Sequence, residues 1–204
     1  MKREINLVVL ISGFGSNLQA ILDAARLGII PARVCAVVSN KADAYGLERA
    51  RLAGLPAIAH VFNKGQERSD YDRRLADIVA SYRPDWVILA GWMRILSAAF
   101  LGRFPNRVVN LHPALPGMFP GTHAIECAFE AYHSGQIEHT GVMVHLVPDE
   151  GVDSGPILNQ RMVPILPEDT VETLEARVHE VEHTLLVETL KSLFENSNQG
   201  KQYG

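Results

Sequence analysis

The chain has 204 residues and a net charge of −4; 47% of its residues are hydrophobic and 21% are charged. These proportions indicate one ordinary globular domain and exclude disordered, collagen-like and coiled-coil chains. The chain has 19 Lys and Arg and 23 Asp and Glu, with no long run of either sign. This balance disfavours binding to nucleic acid or to a membrane surface. The two cysteines, Cys35 and Cys127, lack zinc-site spacing and form no disulfide framework, so we expect a cytoplasmic protein.

Strand-like and helix-like segments alternate through the first half of the chain. The strand-like segments are apolar on both faces, which is typical of parallel strands that helices cover above and below. In chain order we predict strands at 5–11, 34–39, 57–61, 86–90 and 107–112, and helices from about 17, at 45–53 and from 69 to about 82. Ser69 and Asp72 have the spacing to cap the third helix.

A connection rich in proline and glycine follows the fifth strand, and its composition excludes helix or inner strand. Beyond it we predict a helix at 123–133, strands at 141–147 and 157–163, and a last helix from 169 to about 194. Asp169 and Glu172 have capping-box spacing at the start of this helix. The whole pattern predicts one α/β domain over residues 1–195, with a mostly parallel, twisted sheet of about seven strands and helices on both faces. A polar tail is predicted at 196–204.

A glycine loop joins the first strand to the first helix, at the edge of the sheet where ligands bind in parallel folds. It consists of Ser12, Gly13, Phe14, Gly15, Ser16 and Asn17. Its glycines let backbone N–H groups approach an anion, and the helix N-terminus adds partial positive charge, so the loop predicts a phosphate site. Leu18 occupies the place of the third glycine of a dinucleotide fingerprint, which excludes that motif. A tight turn with an Asn cap is the structural alternative.

Asn110 and His112 end the fifth predicted strand. Residues two apart on a strand point to the same face, so their amide and imidazole project together and can stabilise a developing oxyanion. A carboxylate from the acidic loop at 149–155, such as Asp153, would support an imidazolium if the fold brought it beside His112. The alternatives are a polar pair satisfied by neighbouring backbone and a solvated turn.

The last helix contains the letters of a zinc motif, with His179 and His183 one turn apart around Glu180. A zinc hydrolase is therefore a rival hypothesis. It needs a third ligand, and the 21 residues after His183 contain no further histidine. The other histidines show no ligand spacing, and we expect surface or core roles for most of them, His145 included.

Several motifs occur together and in a fixed order along nearly the whole chain. They lie at 9–20, 38–44, 89–96, 110–113 and 153–157. In this order and in a chain of this length, the sequence resembles the folate-dependent phosphoribosylglycinamide formyltransferases of purine biosynthesis. The resemblance implies direct transfer of a formyl group from 10-formyltetrahydrofolate to the amine of glycinamide ribonucleotide, without a metal. It implies small-molecule partners only and a monomer or homodimer.

The resemblance also implies residue roles. Asn110, His112 and Asp153 correspond to a catalytic trio, and the glycine loop corresponds to the site of the ribonucleotide phosphate. Glu182 corresponds to a contact with the ribose, with His179 beside it. The implied folate pocket consists of Met93, Arg94, Ile95, Leu96, Val147, Pro148, Asp149, Glu150 and Val152. Residues 1–100 would then be a Rossmann-like half that binds the ribonucleotide phosphate, and 101–195 a catalytic and folate-binding half.

Two sister enzymes share the Asn-x-His-Pro site and are alternatives. Methionyl-tRNA formyltransferases carry a further C-terminal domain and need a basic surface, which a net charge of −4 does not provide. Formyltetrahydrofolate deformylases carry an N-terminal regulatory domain, whereas the first predicted strand here begins at residue 5. The sequence departs from the family pattern in one place that bears on folate binding. The segment from Gly141 to Asp153 is one residue longer than the compact form of the family motif, so the backbone contacts to the folate can differ.

Overall fold

Seven strands form a single sheet in the computed structural model, which describes residues 4–197. The strands are β1 (Ile5–Ile11), β2 (Ala32–Ser39), β3 (Ala57–Ala59), β4 (Trp86–Leu89), β5 (Val108–His112), β6 (His139–Leu146) and β7 (Ile157–Pro164). The helices are α1 (Ser16–Arg26), α2 (Tyr45–Leu52), α3 (Arg68–Ser81), α4 (Ala98–Leu101), α5 (Ala124–His133) and α6 (Val171–Ser197). None of the helices in this part of the chain is long and apolar enough to cross a membrane.

The strand order across the sheet is β3-β2-β1-β4-β5-β6-β7. The first five strands run parallel, while β6 pairs antiparallel with both β5 and β7. After β3 the chain returns to place β4 on the other side of β1, so the order reverses between these two strands. The connections after β1 and β4 therefore diverge and leave a crevice at the carboxyl edge, the usual place for a ligand in such sheets.

Alternate residues of the central strands pack into two separate cores. On β1, Leu7 and Val9 face the core formed mainly with α1 and α6, while Val8 and Leu10 face the core formed with α3 and α4. All four are fully buried. Each such side chain contributes about 1.5–3 kcal/mol by leaving water, which explains why these four positions of β1 are apolar on both faces.

The predicted fold class is confirmed, and every predicted strand and helix is present with ends shifted by a few residues. The structure adds α4, a single turn that is too short to show a period in the sequence. The last helix continues through Ser197, beyond its predicted end near Phe194. The predicted polar tail therefore begins inside α6, and its residues 198–204 lie outside the described part of the chain.

The predicted cap of α3 is wrong. The residue before the helix is Glu67, whose side chain makes no capping hydrogen bond, and Ser69 lies within the first turn. Asp72 is instead buried and accepts a hydrogen bond of 2.6 Å from the backbone N–H of Ser97. The carboxylate thus satisfies a donor at the start of α4 and ties two helices together, an alternative to capping that local spacing does not reveal.

The predicted cap of α6 is one residue too early. Thr170 and Thr173 form the reciprocal pair, each accepting a hydrogen bond from the other's backbone N–H at 3.3 and 2.9 Å. Asp169 instead pairs with Arg177 through two bonds of 2.6 and 2.7 Å. The hydrogen bonds from Arg177, helped by those from Leu166 and Thr173, outweigh burial and hold the pKa of Asp169 far below its usual value.

We expect Asp169→Asn to lower the free energy of unfolding by about 2–4 kcal/mol, because it leaves the guanidinium of Arg177 without its buried partner. Urea unfolding at pH 7 measures the loss. Asp70→Asn is the matched control, since Asp70 forms an exposed pair with Arg73 and its loss should cost about 0.5 kcal/mol or less. Equal losses in the two variants would contradict the assignment.

The same pair predicts how stability depends on pH. A carboxyl group whose pKa is lower in the folded state binds fewer protons there than in the unfolded chain. Its contribution is complete above the unfolded pKa of about 3.9 and disappears as the pH falls through the folded value. The difference in stability between the parent protein and Asp169→Asn should therefore shrink below about pH 4.

Candidate active site

A cavity of about 780 Å³ opens at the carboxyl edge of the sheet, next to the reversal of strand order. The segment that follows β4 forms one wall, the end of β5 forms the floor, and the loop after β6 forms the opposite wall. A volume of this size accommodates a ligand of several rings. The position agrees with the expectation from the alternating strands and helices.

Asn110, His112 and Asp153 meet at the floor of this cavity. Nδ1 of His112 lies 3.4 Å from Oδ2 of Asp153, and the Asn110 amide donates to the other carboxylate oxygen at 3.0 Å. Asp153 has a left-handed backbone with φ 50°, which turns its loop back over β5. The N–H of Gly121 donates to the same Oδ2 at 2.9 Å and helps to fix the carboxylate. The structure thus brings together three residues that are up to 43 positions apart.

His145 is a fourth member of this cluster and was not expected from the sequence. It lies opposite Asn110 in the β5–β6 ladder, with 1% of its surface exposed. Its Nε2 is 3.1 Å from the Asn110 amide nitrogen and 3.5 Å from the Asp153 carboxylate, while Nδ1 bonds the Leu146 carbonyl at 2.8 Å. Only the antiparallel pairing of β5 with β6 reveals this neighbour, since no motif links the two strands.

Several hydrogen-bond donors surround the Asp153 carboxylate and favour its ionised form. Burial by itself raises the pKa of this carboxyl, but hydrogen bonds from His145 and Gly121 and positive charge on His112 and His145 together lower it by more than burial raises it. The net effect is a pKa below the usual value for Asp, so the group is ionised at neutral pH. A fixed negative charge therefore lies beside two imidazoles, and all three side chains are largely buried.

Both nitrogens of the His112 ring face oxygen acceptors. Nε2 donates to the carbonyl of Phe119 at 3.0 Å, and Nδ1 faces Asp153. An imidazolium satisfies both contacts at once. The ring is 3% exposed, so its orientation is fixed by these contacts and not by solvent.

The glycine loop forms a second polar centre beside the first. Ser12 is buried and its hydroxyl accepts the N–H of Met93 at 2.8 Å, which joins the loop after β1 to the wall after β4. Helix α1 begins at Ser16 after Gly15, so Asn17 lies inside the first turn and is not its cap. The Asn17 amide donates to Glu182 at 3.2 Å, and its buried oxygen has no partner among the described residues.

Glu182 and His179 lie together on α6, as their spacing predicts. Glu182 is 4% exposed, and His179 Nδ1 lies 2.7 Å from its carboxylate. This hydrogen bond raises the pKa of His179 in spite of its partial burial. The carboxylate that contacts the loop through Asn17 is thus also the partner of a histidine, so the predicted ribose contact Glu182 and its neighbour His179 both lie beside the glycine loop.

Most of the residues expected in a folate pocket line the cavity. They are Met93, Arg94, Ile95, Leu96, Val147, Asp149 and Val152. Pro148 and Glu150 are absent from the described wall. Glu150 instead pairs with Arg68 and accepts the backbone N–H of Ala98 at 2.9 Å, which points it toward α4. The guanidinium of Arg94 is stacked on Phe62, 3.9 Å from the ring centre.

The comparisons with known proteins point to one family. Residues 5–190 match the sequence profile described as formyl transferase. The chain is 45% identical to phosphoribosylglycinamide formyltransferase of Dictyostelium discoideum over 92% of this chain and 97% of that protein. It is 46% identical to the protein of that name from Escherichia coli, over 89% of this chain and 83% of the relative.

A solved structure shows the same fold. Glycinamide ribonucleotide transformylase 1 from Symbiobacterium toebii superposes with a TM-score of 0.88 at 44% identity, over 95% of this chain and 89% of that chain. The chain belongs to the phosphoribosylglycinamide formyltransferase family. The resemblance noted from the sequence motifs is confirmed, and this protein is an enzyme of the formyl transferase class.

The zinc motif of α6 has another explanation in this family member. Among residues 4–197, no three His, Cys, Asp or Glu side chains lie where they could share a metal ion. His179 pairs with Glu182 and lies 3.4 Å from Glu175. Burial lowers the pKa of His183, and its Nε2 is enclosed without a hydrogen-bond partner among the described residues.

We expect Gly15→Ala to destabilise the protein more than Gly28→Ala. Both glycines have positive φ, of 76° and 69°, so each substitution costs about 1–2 kcal/mol in backbone strain. A Cβ on Gly15 would in addition lie 2.8 Å from the Cα of Gly46, whereas a Cβ on Gly28 meets no atom within 4 Å. Thermal unfolding of the two variants checks the order; equal shifts would show that the loop tolerates displacement.

Proposed function

We propose that this protein transfers the formyl group of 10-formyltetrahydrofolate to the amine of glycinamide ribonucleotide, in the pathway of de novo purine synthesis. The observation that carries the proposal is the contact between His112 and Asp153 at 3.4 Å on the floor of a cavity of about 780 Å³. Identities of 45–46% to enzymes named for this reaction support the same substrates.

Asn110 and His112 are the proposed stabilisers of the oxyanion. Attack of the substrate amine on the formyl carbon forms a C–N bond and places negative charge on the formyl oxygen. The amide and the imidazolium project from the same face of β5, where their N–H groups can meet this oxygen at the floor of the cavity. In this structure the Nε2–H of His112 donates to the carbonyl of Phe119. The formyl oxygen would either share this donor with the carbonyl or take the carbonyl's place.

Asp153 is the proposed carrier of the proton. The attacking amine must lose a proton, and the nitrogen of the folate that leaves must gain one as the second C–N bond breaks. An ionised carboxylate with a lowered pKa, held by Gly121 and His145, can accept the proton through a water molecule and return it to the leaving nitrogen. Its charge also stabilises the imidazolium of His112 throughout.

The glycine loop and α6 are the proposed holders of the ribonucleotide. The first turn of α1 offers N–H groups and the positive end of its dipole to the phosphate. Glu182, already bound by Asn17 and His179, is placed to accept hydrogen bonds from ribose hydroxyls. The hydrogen bond between Ser12 and Met93 holds the glycine loop against the cavity wall. A ribonucleotide bound at the loop could then extend its amine to the catalytic cluster.

The cavity wall is the proposed folate site. Exposed Met93, Ile95 and Val152 offer apolar surface to a flat ring system, and Leu96 supports the wall from behind with 3% exposure. The guanidinium of Arg94, stacked on Phe62, is placed for the acidic part of the folate. Pro148 and Glu150, which lie off the wall, are left out of the proposed contacts.

The decisive assay mixes the protein with 10-formyltetrahydrofolate and glycinamide ribonucleotide and follows loss of the formyl folate. We expect turnover only when the ribonucleotide is present. Turnover without it would indicate a deformylase, and turnover with methionyl-tRNA in its place would indicate the tRNA enzyme. Dialysis against a chelator should leave the rate unchanged, whereas a loss that zinc restores would favour the hydrolase hypothesis.

We expect His112→Ala and Asp153→Asn to lower kcat by about 10²–10⁴-fold, because each removes a group that acts in the transition state. Circular dichroism and thermal unfolding should show that both variants remain folded. His133→Ala, which removes an exposed histidine at the end of α5, is the control and should keep the parent rate. Parent-like turnover in both site variants would remove the mechanism.

A further inference from the structure

Helix α2 holds the glycine loop through two hydrogen bonds to successive peptide groups. The N–H of Gly46 donates to the carbonyl of Gly13 at 3.1 Å. Nε of Arg49 donates to the carbonyl of Phe14 at 3.0 Å. Neither residue belongs to the loop, and neither is assigned a role in the proposed reaction.

These two bonds set the direction of two loop N–H groups. All described peptide bonds are trans, so each N–H points opposite to the carbonyl of the same peptide. The carbonyls of Gly13 and Phe14 share their peptides with the N–H groups of Phe14 and Gly15. Since α2 binds both carbonyls, both N–H groups point away from α2. A Cβ built on Gly13 meets no atom within 4 Å, so other parts of the protein leave the loop uncovered at this residue.

The guanidinium of Arg49 is itself fixed by contacts on several sides. Its carbon lies 4.5 Å from the ring centre of Phe14 and 5.0 Å from that of Tyr45, and the two rings are stacked 5.2 Å apart. Its Nη1 donates to Gln19 on α1 at 3.2 Å. One side chain therefore connects α2, the loop and α1, and such contacts reduce its freedom to leave the Phe14 carbonyl.

Gly46 makes the close approach possible. A Cβ there would collide with the side chain of Ile11 and lie 3.3 Å from the Cα of Gly15. Backbone packs directly on backbone at this point, so the loop has no room to rotate its peptides toward α2. The two α2 residues thus act together on the loop.

We propose that Arg49, with Gly46 beside it, is a positioning residue for the ribonucleotide phosphate: it keeps the N–H groups of Phe14 and Gly15 directed at the anion. The inference rests on the proposed function, because it takes the glycine loop as the phosphate site. Without the bond to Arg49 the Phe14–Gly15 peptide can rotate, and an anion must then restrain it at the cost of affinity.

The test compares Arg49→Met with Arg51→Met. Arg51 is on the same helix, is exposed and pairs with Glu48 at 3.2 Å, so its variant removes the same charge away from the loop. For Arg49→Met we expect KM for glycinamide ribonucleotide to rise about tenfold, roughly the worth of one charge-assisted hydrogen bond, with kcat and KM for the formyl folate nearly unchanged. Arg49→Lys, which keeps a charged donor, should recover part of the affinity.

Titration calorimetry with ribose 5-phosphate separates this inference from the proposed reaction. Its Kd should rise about tenfold in Arg49→Met and stay unchanged in Arg51→Met. If the parent protein binds this probe but transfers no formyl group, the proposed function fails while the role of Arg49 stands. Unchanged Kd and KM in a folded Arg49→Met, equal effects in the Arg51 variant, or a parent protein that does not bind the probe would each overturn the inference. If Arg49→Met does not fold, the same comparison with Arg49→Lys decides.

Discussion

The buried carboxylate of Asp153 is the constraint on which the candidate active site depends. Only 11% of its side chain is exposed, and an ionised group in such a place is costly unless its oxygens are satisfied. The satisfying groups come from Asn110 and His112 on β5, from His145 on β6 and from Gly121 in the loop between β5 and α5. The carboxylate can remain ionised only if these separate segments converge. The packing of the second half of the sheet therefore also determines the geometry of the candidate active site.

The two halves of the sheet contribute differently to function. The parallel strands end in loops that offer backbone N–H groups and a helix dipole, which suit a phosphate. The antiparallel pair β5–β6 offers side chains in fixed register, which suit acid–base chemistry at one carbon atom. The bond between Ser12 and Met93 joins the loop after β1 to the segment after β4 across the reversal of strand order, and the bond between Asn17 and Glu182 joins α1 to α6. A ligand long enough to contact both regions would need both parts of the sheet, because neither part alone supplies all of these groups.

Local patterns were sufficient to predict the sheet, the glycine loop and the pair Asn110 and His112, because each depends on periodicity or on residues close in sequence. Contacts across the fold were not predictable in this way. His145 joins the cluster only through antiparallel pairing, and Asp72 does not cap its own helix because its carboxylate accepts the buried N–H of Ser97, just before α4. The cap of α6 moved by one residue because Arg177, two turns away, binds Asp169. For both caps, a partner beyond the capping spacing outweighed the local preference.

The hydrogen bond from His112 to the Phe119 carbonyl also bears on selectivity. With Nε2 donating to that oxygen and Nδ1 turned toward a carboxylate, the ring directs no lone pair into the cavity. His112 therefore offers a donor and not a base to a molecule that enters the cavity. Discrimination between water and a nitrogen nucleophile then depends on the other members of the cluster, the Asp153 carboxylate and His145.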